Sequence, residues 1–153
     1  MKRRGFTLVE LLVVIIVLGI LAGVAVMKYI DMRNAALAAQ MAQEVRAIQI
    51  AAFNYYADKE DWPPSSSPGA VPAGLGPLLP GQLAGSFDRG TYQLEFENFG
   101  GDGDNKDMIV GVGITTSDEK LFAKFVRYLG TQSPFFVTGS KITDLIAGPG
   151  GGF

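Results

Sequence analysis

The feature that most constrains this chain is a charge-free apolar run close to its start. From Leu11 to Met27 every residue is apolar or glycine, and Lys2, Arg3 and Arg4 stand just ahead. As a helix rising about 1.5 Å per residue, the segment from Phe6 to Met27 spans roughly 33 Å. The hydrocarbon core of a bilayer is about 30 Å thick, so the length suits a single crossing. The flanking cations hold the N-terminus in the cytoplasm and send the remainder across.

Glu10 interrupts this pattern, one helical turn after Phe6. A charge inside a membrane helix costs up to about 3 kcal/mol at the centre and less near an end, where the side chain snorkels. Snorkelling is one reading of Glu10. The other is that it awaits a cation. Cleavage between Gly5 and Phe6 would supply one, because the new α-amino group is protonated near neutral pH. Within one subunit that amine stands four residues from Glu10. In a bundle of staggered helices the carboxylate meets a neighbour's amine, away from water.

Gly5-Phe6-Thr7-Leu8-Val9-Glu10, after a short basic leader and before a long apolar helix, resembles the leader of type IV prepilins and type II secretion pseudopilins. The resemblance implies cleavage after Gly5 by a prepilin peptidase and N-methylation of Phe6 by the same processing machinery. It also implies a register-setting role for Glu10 and homo-oligomeric assembly, with other pilin-like subunits, on an inner-membrane platform. A secretory signal peptide cut near Gly23-Val24-Ala25 is the rival reading. Glu10 and the continuation of the helical pattern past Ala25 oppose it.

Beyond Lys28 the composition becomes polar, yet the periodicity persists. Leu37, Met41, Val45, Ile48, Ala52 and Tyr55 form an apolar stripe at helical spacing. Neither proline nor glycine occurs between Gly23 and Trp62, so the pattern predicts one helix from Phe6 to about Asp58. At about 1.5 Å per residue it would be roughly 80 Å long. A chain of 153 residues makes one modest core, which covers only the second half of such a helix. The first half needs other company, in a membrane or a filament. Gly19 and Gly23 form a small-residue pair of the kind that lets helices approach closely. In the pilin family this region also unwinds, often beside a proline. Here Met27 occupies the place where many members carry that proline.

Residues 62–85 hold six of the eight prolines and must end the helix. Leu75, Leu78, Leu79 and Leu83 are expected to pin this connection onto a globular head. Residues 56–64, where the helix end runs into Trp62-Pro63-Pro64, are similar to the same junction in major pseudopilins and some pilins. Tyr92, Leu94 and Phe96 alternate with Gln93, Glu95 and Glu97, the pattern of a half-buried strand over 91–99. A second strand is expected over Met108–Ile114, making an antiparallel hairpin with the first. Thr116 and Glu119 have capping-box spacing, opening a helix in which Leu121, Phe125 and Leu129 share a face and which Gly130 ends. A third strand is expected over Phe135–Thr138, and a mobile tail from Gly148.

Asp102, Asp104, Asn105 and Asp107 make the cluster with the most metal-ligand character. Calcium takes six to eight oxygen ligands, but Asp, Asn and Gly are also what a turn selects. The spacing is not that of an EF-hand, and no glutamate closes it. Major pseudopilins are similar in carrying an acidic calcium loop near the end of the head, whereas this segment lies between two strands with a helix after it. The expectation is no cofactor, with calcium at this loop as the alternative.

The chain has no cysteine and no histidine, which removes disulfides, thiol nucleophiles, the usual zinc ligand and the commonest general base. Asp102 with Asp107 is the acid/base pair the sequence offers, without a pocket-forming pattern around it. Net charge is −2, with 13 basic and 15 acidic side chains, so no nucleic-acid partner is expected. Without Lys2, Arg3 and Arg4 the side-chain charge becomes −5.

These features lead to an α+β, pilin-like fold: a leader over 1–5, an apolar helix over 6–27, its amphipathic half over 28–58, and a head over 59–153. The expected role is structural and not enzymatic. The missing cysteine pair favours a type II secretion pseudopilin over a type IV pilin. A membrane-tethered binding module that never polymerises is the alternative from another class.

Overall fold

The computed structural model describes residues 6–100, 109–130 and 133–148. Its first element, helix α1, runs unbroken over Leu8–Lys59 for 52 residues, about 78 Å at the usual rise. It begins two residues later and ends one later than expected. The stop does not come from a glycine. Glu60 takes the left-handed conformation at φ 55°, and its N–H donates to the Tyr56 carbonyl at 2.8 Å. Tyr56 then stacks on Trp62 at 4.7 Å between ring centroids, with Phe53 edge-on to the same indole. These contacts turn the chain into the proline-rich connection.

The distal half of α1 is the spine of the head. Met41, Val45, Ile48 and Ala52 are buried, as the stripe predicted, and so are Ala38, Ala42 and Ala51. The small alanines let neighbouring elements come close to the helix backbone. Against it pack strands β1 (Gln93–Asn98) and β2 (Val110–Thr115), helix α2 (Glu119–Leu129), and strands β3 (Phe135–Thr138) and β4 (Lys141–Ala147). The sheet is antiparallel with the order β1-β2-β4-β3. The architecture is therefore α+β, a long N-terminal helix packed on a small antiparallel sheet.

Several expectations need correction. Strand β4 was not foreseen, although it lies inside the sheet. Asp144 breaks the apolar alternation of Lys-Ile-Thr-Asp-Leu-Ile-Ala, and a register shift opposite Val110/Gly111 disturbs it again. Helix α2 opens on Asp118, whose carboxylate accepts from the Lys120 and Leu121 N–H groups at 2.9 and 3.0 Å. Thr116 lies too far upstream to cap. Its hydroxyl donates to the Thr91 carbonyl and accepts from Asp118 N–H.

Leu75, Leu79 and Leu83 are buried as expected, but Leu78 is exposed, because it closes a 3-10 turn over Gly76–Leu78 that faces outward. Backbone pairing also holds the connection. Ser66 and Gly69 N–H donate to the Phe96 and Leu94 carbonyls at 2.9 and 2.8 Å, which covers the outer edge of β1. The tail from 149 lies outside the described residues.

The solvent side of β1 is also less polar in environment than its letters imply. Glu95 is buried because Gly113, its cross-strand partner, has no side chain. A Cβ there would lie 2.6 Å from Glu95 Cγ. Lys141 pairs with Glu95 at 3.3 Å and with Glu97, whose second oxygen accepts from the Thr143 hydroxyl at 2.6 Å. The hydrogen bond to Glu97 holds the Lys141 ammonium above the ordinary lysine range.

On the opposite face, Asp144 is buried against α1. It accepts from Gln49 at 2.9 Å and Ser133 at 2.6 Å, beside a cleft of about 90 Å³ that Arg46 also lines. Burial raises its pKa above the ordinary 3.8, partly opposed by Ser133, Gln49 and Arg46. The folded state thus holds this proton more tightly than the unfolded chain does. The stability Asp144 lends is complete below pH 3.8 and is lost as pH rises through its raised folded value. Asp144→Asn should remove that dependence. In thermal melts of the detergent-solubilised chain from about pH 3.5 to about pH 7, wild type should lose stability relative to the variant as pH rises. A difference that stays flat with pH would contradict this assignment.

Candidate functional site: the exposed apolar helix and its N-terminal carboxylate

Helix α1 is covered by the head only from Asn34 onward, the first buried residue along it. The preceding 26 residues, about 39 Å of helix, are exposed, with Lys124 of the head reaching Asp31 near their end. Their most apolar 18-residue window has a mean hydropathy of 3.0, and none of it is buried. The side chains from Leu11 to Met32 that would form a core elsewhere, such as Ile15, Leu18, Ile20 and Leu21, are all exposed. Burying one such side chain is worth about 1.5–3 kcal/mol. A surface this large therefore cannot remain in water, and by length and composition it suits a membrane crossing.

Gly19 and Gly23 lie on this free segment. A methyl group built on either meets no neighbouring atom within 4 Å. Within the subunit they pack against nothing, so close approach at this pair requires a helix from elsewhere.

Glu10 is the charged group at the free end. Thr7 is the N-cap of α1 with extended backbone (φ −82°, ψ 152°), and it forms a reciprocal capping box with Glu10. Glu10 N–H donates to the Thr7 hydroxyl at 3.3 Å. Glu10 Oε2 accepts from Thr7 N–H at 2.9 Å and from its hydroxyl at 2.8 Å. In the uncleaved chain the carboxylate is thus held at the positive end of the helix dipole by local donors. The sequence signal for this, Thr-x-x-Glu directly before an apolar run, lies within the leader motif itself.

Gly5 lies outside the described residues, and Phe6, the residue after the expected cut, is exposed just ahead of the helix N-cap. Asp102, Asp104, Asn105 and Asp107 also lie outside them. Among the described residues no group of three or more acidic side chains is gathered to hold a metal. A shallow cleft of about 300 Å³ lies beside Asp88 and Thr116. Its carboxylate, Asp88, already accepts from Gly90 N–H and Gln93 at 2.7 and 3.1 Å, which lowers its pKa.

With this geometry in place, the comparison with known families is decisive for the N-terminus. Residues 1–26 match the family described as the prokaryotic N-terminal methylation motif. The chain carries the prepilin leader signature of type IV pilins and pseudopilins. No curated protein and no solved structure matches the chain. A prepilin-type leader followed by an apolar, uncovered helix fits a membrane-anchored precursor.

The capping box makes a local prediction. Thr7→Val removes both hydrogen bonds of the Thr7 hydroxyl, leaving the one from Thr7 N–H to Glu10, and should cost the first turn about 1 kcal/mol. Hydrogen exchange of the full chain in detergent should then show roughly fivefold faster exchange at Glu10 and Leu11, the first amides bonded to Thr7, with the head unchanged. Unchanged protection there would mean the box contributes nothing.

Proposed function

We propose that this chain is a structural subunit of a type IV pilus-like filament, specifically a type II secretion pseudopilin that polymerises into a periplasmic pseudopilus supporting protein export. The observation that carries the reading is the uncovered apolar half of α1, headed by one carboxylate at Glu10 and a prepilin leader. In this reading the precursor waits in the inner membrane with its N-terminus cytoplasmic. Prepilin peptidase cuts after Gly5 and the new amine of Phe6 is methylated. The assembly platform then moves subunits into a helical filament whose centre is made of apolar helices. Gly19 and Gly23 allow close contact between those helices. Glu10 leaves the Thr7 box, wholly or in part, to meet the Phe6 amine of a neighbour and so sets the axial register.

The absence of cysteine favours the pseudopilin over a type IV pilin with a disulfide-closed loop, which is the near alternative. A tethered module that never polymerises is separated from both by the tests below.

The mature chain should begin at Phe6 and carry one methyl group on its amine. Intact mass and N-terminal sequencing of protein from cells check this. A start at Val26 would establish ordinary signal-peptide cleavage instead.

Glu10→Leu should leave insertion and cleavage intact while sharply reducing filament incorporation. Each incoming subunit would bring a buried amine with no carboxylate to meet it, at a cost of about 3–5 kcal/mol. Glu10→Asp should be intermediate, because the charge survives with a shorter reach. Sheared filaments against the membrane pool measure this in cells lacking the wild-type copy. Normal filament yield from Glu10→Leu would sink the pairing role, whereas no filament from either the wild-type or the variant chain would favour the tether.

A further inference from the structure

The two edges of the sheet are finished differently. Along β1 the proline-rich connection supplies partners, since Ser66 and Gly69 N–H donate to the Phe96 and Leu94 carbonyls. Strand β3 forms the other edge and reaches β4 through a tight turn at Gly139 and Ser140. Leu145 N–H donates to the Pro134 carbonyl at 3.0 Å, which sets the phase of this ladder. In the observed register Phe136 and Thr138 then bond to β4, and alternation turns the N–H and C=O groups of Phe135 and Val137 outward. Among the described residues these outward groups have no hydrogen-bond partner.

The side chains beside this edge are apolar. Phe136 and Val137 are exposed, and so is Phe99, whose ring lies 5.9 Å from that of Phe136 between centroids. Phe136 stands opposite Thr143 on the outer face, and Val137 stands opposite the core residue Ile142 on the face that packs on α1. No charge occurs over 133–140, although the head over 59–153 carries seven basic and eleven acidic side chains, a net of −4. Edge strands are ordinarily guarded by a lysine, an internal proline or a bulge. Residues 135–138 have none of these. Their guard is shortness, four residues, which limits how much backbone a partner can bond.

A second copy of the chain does not suit this edge. Antiparallel pairing of two β3 strands takes a two-fold axis normal to the sheet. Helix α1 packs along one sheet face, so that axis would point the two α1 helices in opposite directions. Two subunits anchored with the same orientation in one membrane cannot meet that way. We propose that β3 accepts an extended, uncharged segment of another protein as a fifth strand. The outward groups of Phe135 and Val137 bond its main chain, while alternate side chains pack on the Phe99–Phe136 pair and on Val137. The segment recognised is therefore one that alternates apolar residues. The edge lies in the head, so its use depends neither on cleavage at Gly5 nor on Glu10, and only the exclusion of self-pairing rests on the anchored reading.

The probe is a peptide of about eight residues, alternating valine and threonine with a lysine at each end to suit the acidic head. It is added in excess to the full-length chain in nanodiscs, and amide hydrogen exchange is read at single residues. Without peptide, Phe135 and Val137 should exchange as open amides while Phe136 is protected by β4. Peptide should slow Phe135 and Val137 about tenfold or more, and the same peptide with N-methylated backbone amides should leave both unchanged. Val137→Pro removes an N–H that β4 does not use, and Val137→Lys sets a charge on the edge. Each should cut the slowing at Phe135 severalfold, with exchange in β1, β2 and β4 unaltered. No slowing, or slowing that methylation and both variants leave intact, would overturn the proposal. Protection of Phe135 and Val137 in the chain alone would also overturn it, assigning the edge to the chain itself, or to a second copy if protection grows with the number of chains per disc.

Discussion

The rest of this structure depends on a mismatch between the length of one helix and the size of the head it carries. Helix α1 has 52 residues, and the head buries it only from Asn34 onward. Roughly 39 Å of apolar helix must find cover outside the subunit. Inside lipid every backbone polar group has to be satisfied within the segment, which a continuous helix achieves. The ends are the exception, since the first turn leaves N–H groups unpaired. The Thr7–Glu10 box answers that need, so the charge that looks out of place in an anchor also completes its N-terminus. Among the described residues its donors all come from Thr7, and the carboxylate stays exposed at the end of the helix.

The same helix organises the head by being narrow where it is buried. Ala38, Ala42, Ala51 and Ala52 let the sheet and α2 sit close, and Glu44 ties the connection back to the helix. Arg89 pairs with Glu44 at 3.2 Å, and the Tyr92 hydroxyl donates to it at 2.7 Å. Burial and the nearby carboxylate together push the Tyr92 pKa upward, so that hydroxyl remains a donor across the ordinary pH range. The connection is thereby fixed at both its leucines and its far end, and it seals one sheet edge against unwanted strand pairing.

The sequence alone determined the long helix, its free apolar half, the Glu10 anomaly and the leader. Each rests on hydropathy and spacing within a few turns, and helical periodicity is a local property of the chain. It also determined β1, α2 and β3 to within a few residues, for the same reason. The tertiary structure alone decided where β4 goes, because Asp144 looks like a surface residue until Gln49, 95 positions away, is seen to pair with it. Burial of Glu95 likewise depends on glycine across the strand at Gly113. Asp118, not Thr116, caps α2, since Thr116 is drawn off to Thr91. Strand order and the fate of buried carboxylates are set by partners distant in sequence. The contact of Lys124 has the same origin, because its partner Asp31 lies 93 residues earlier in the chain.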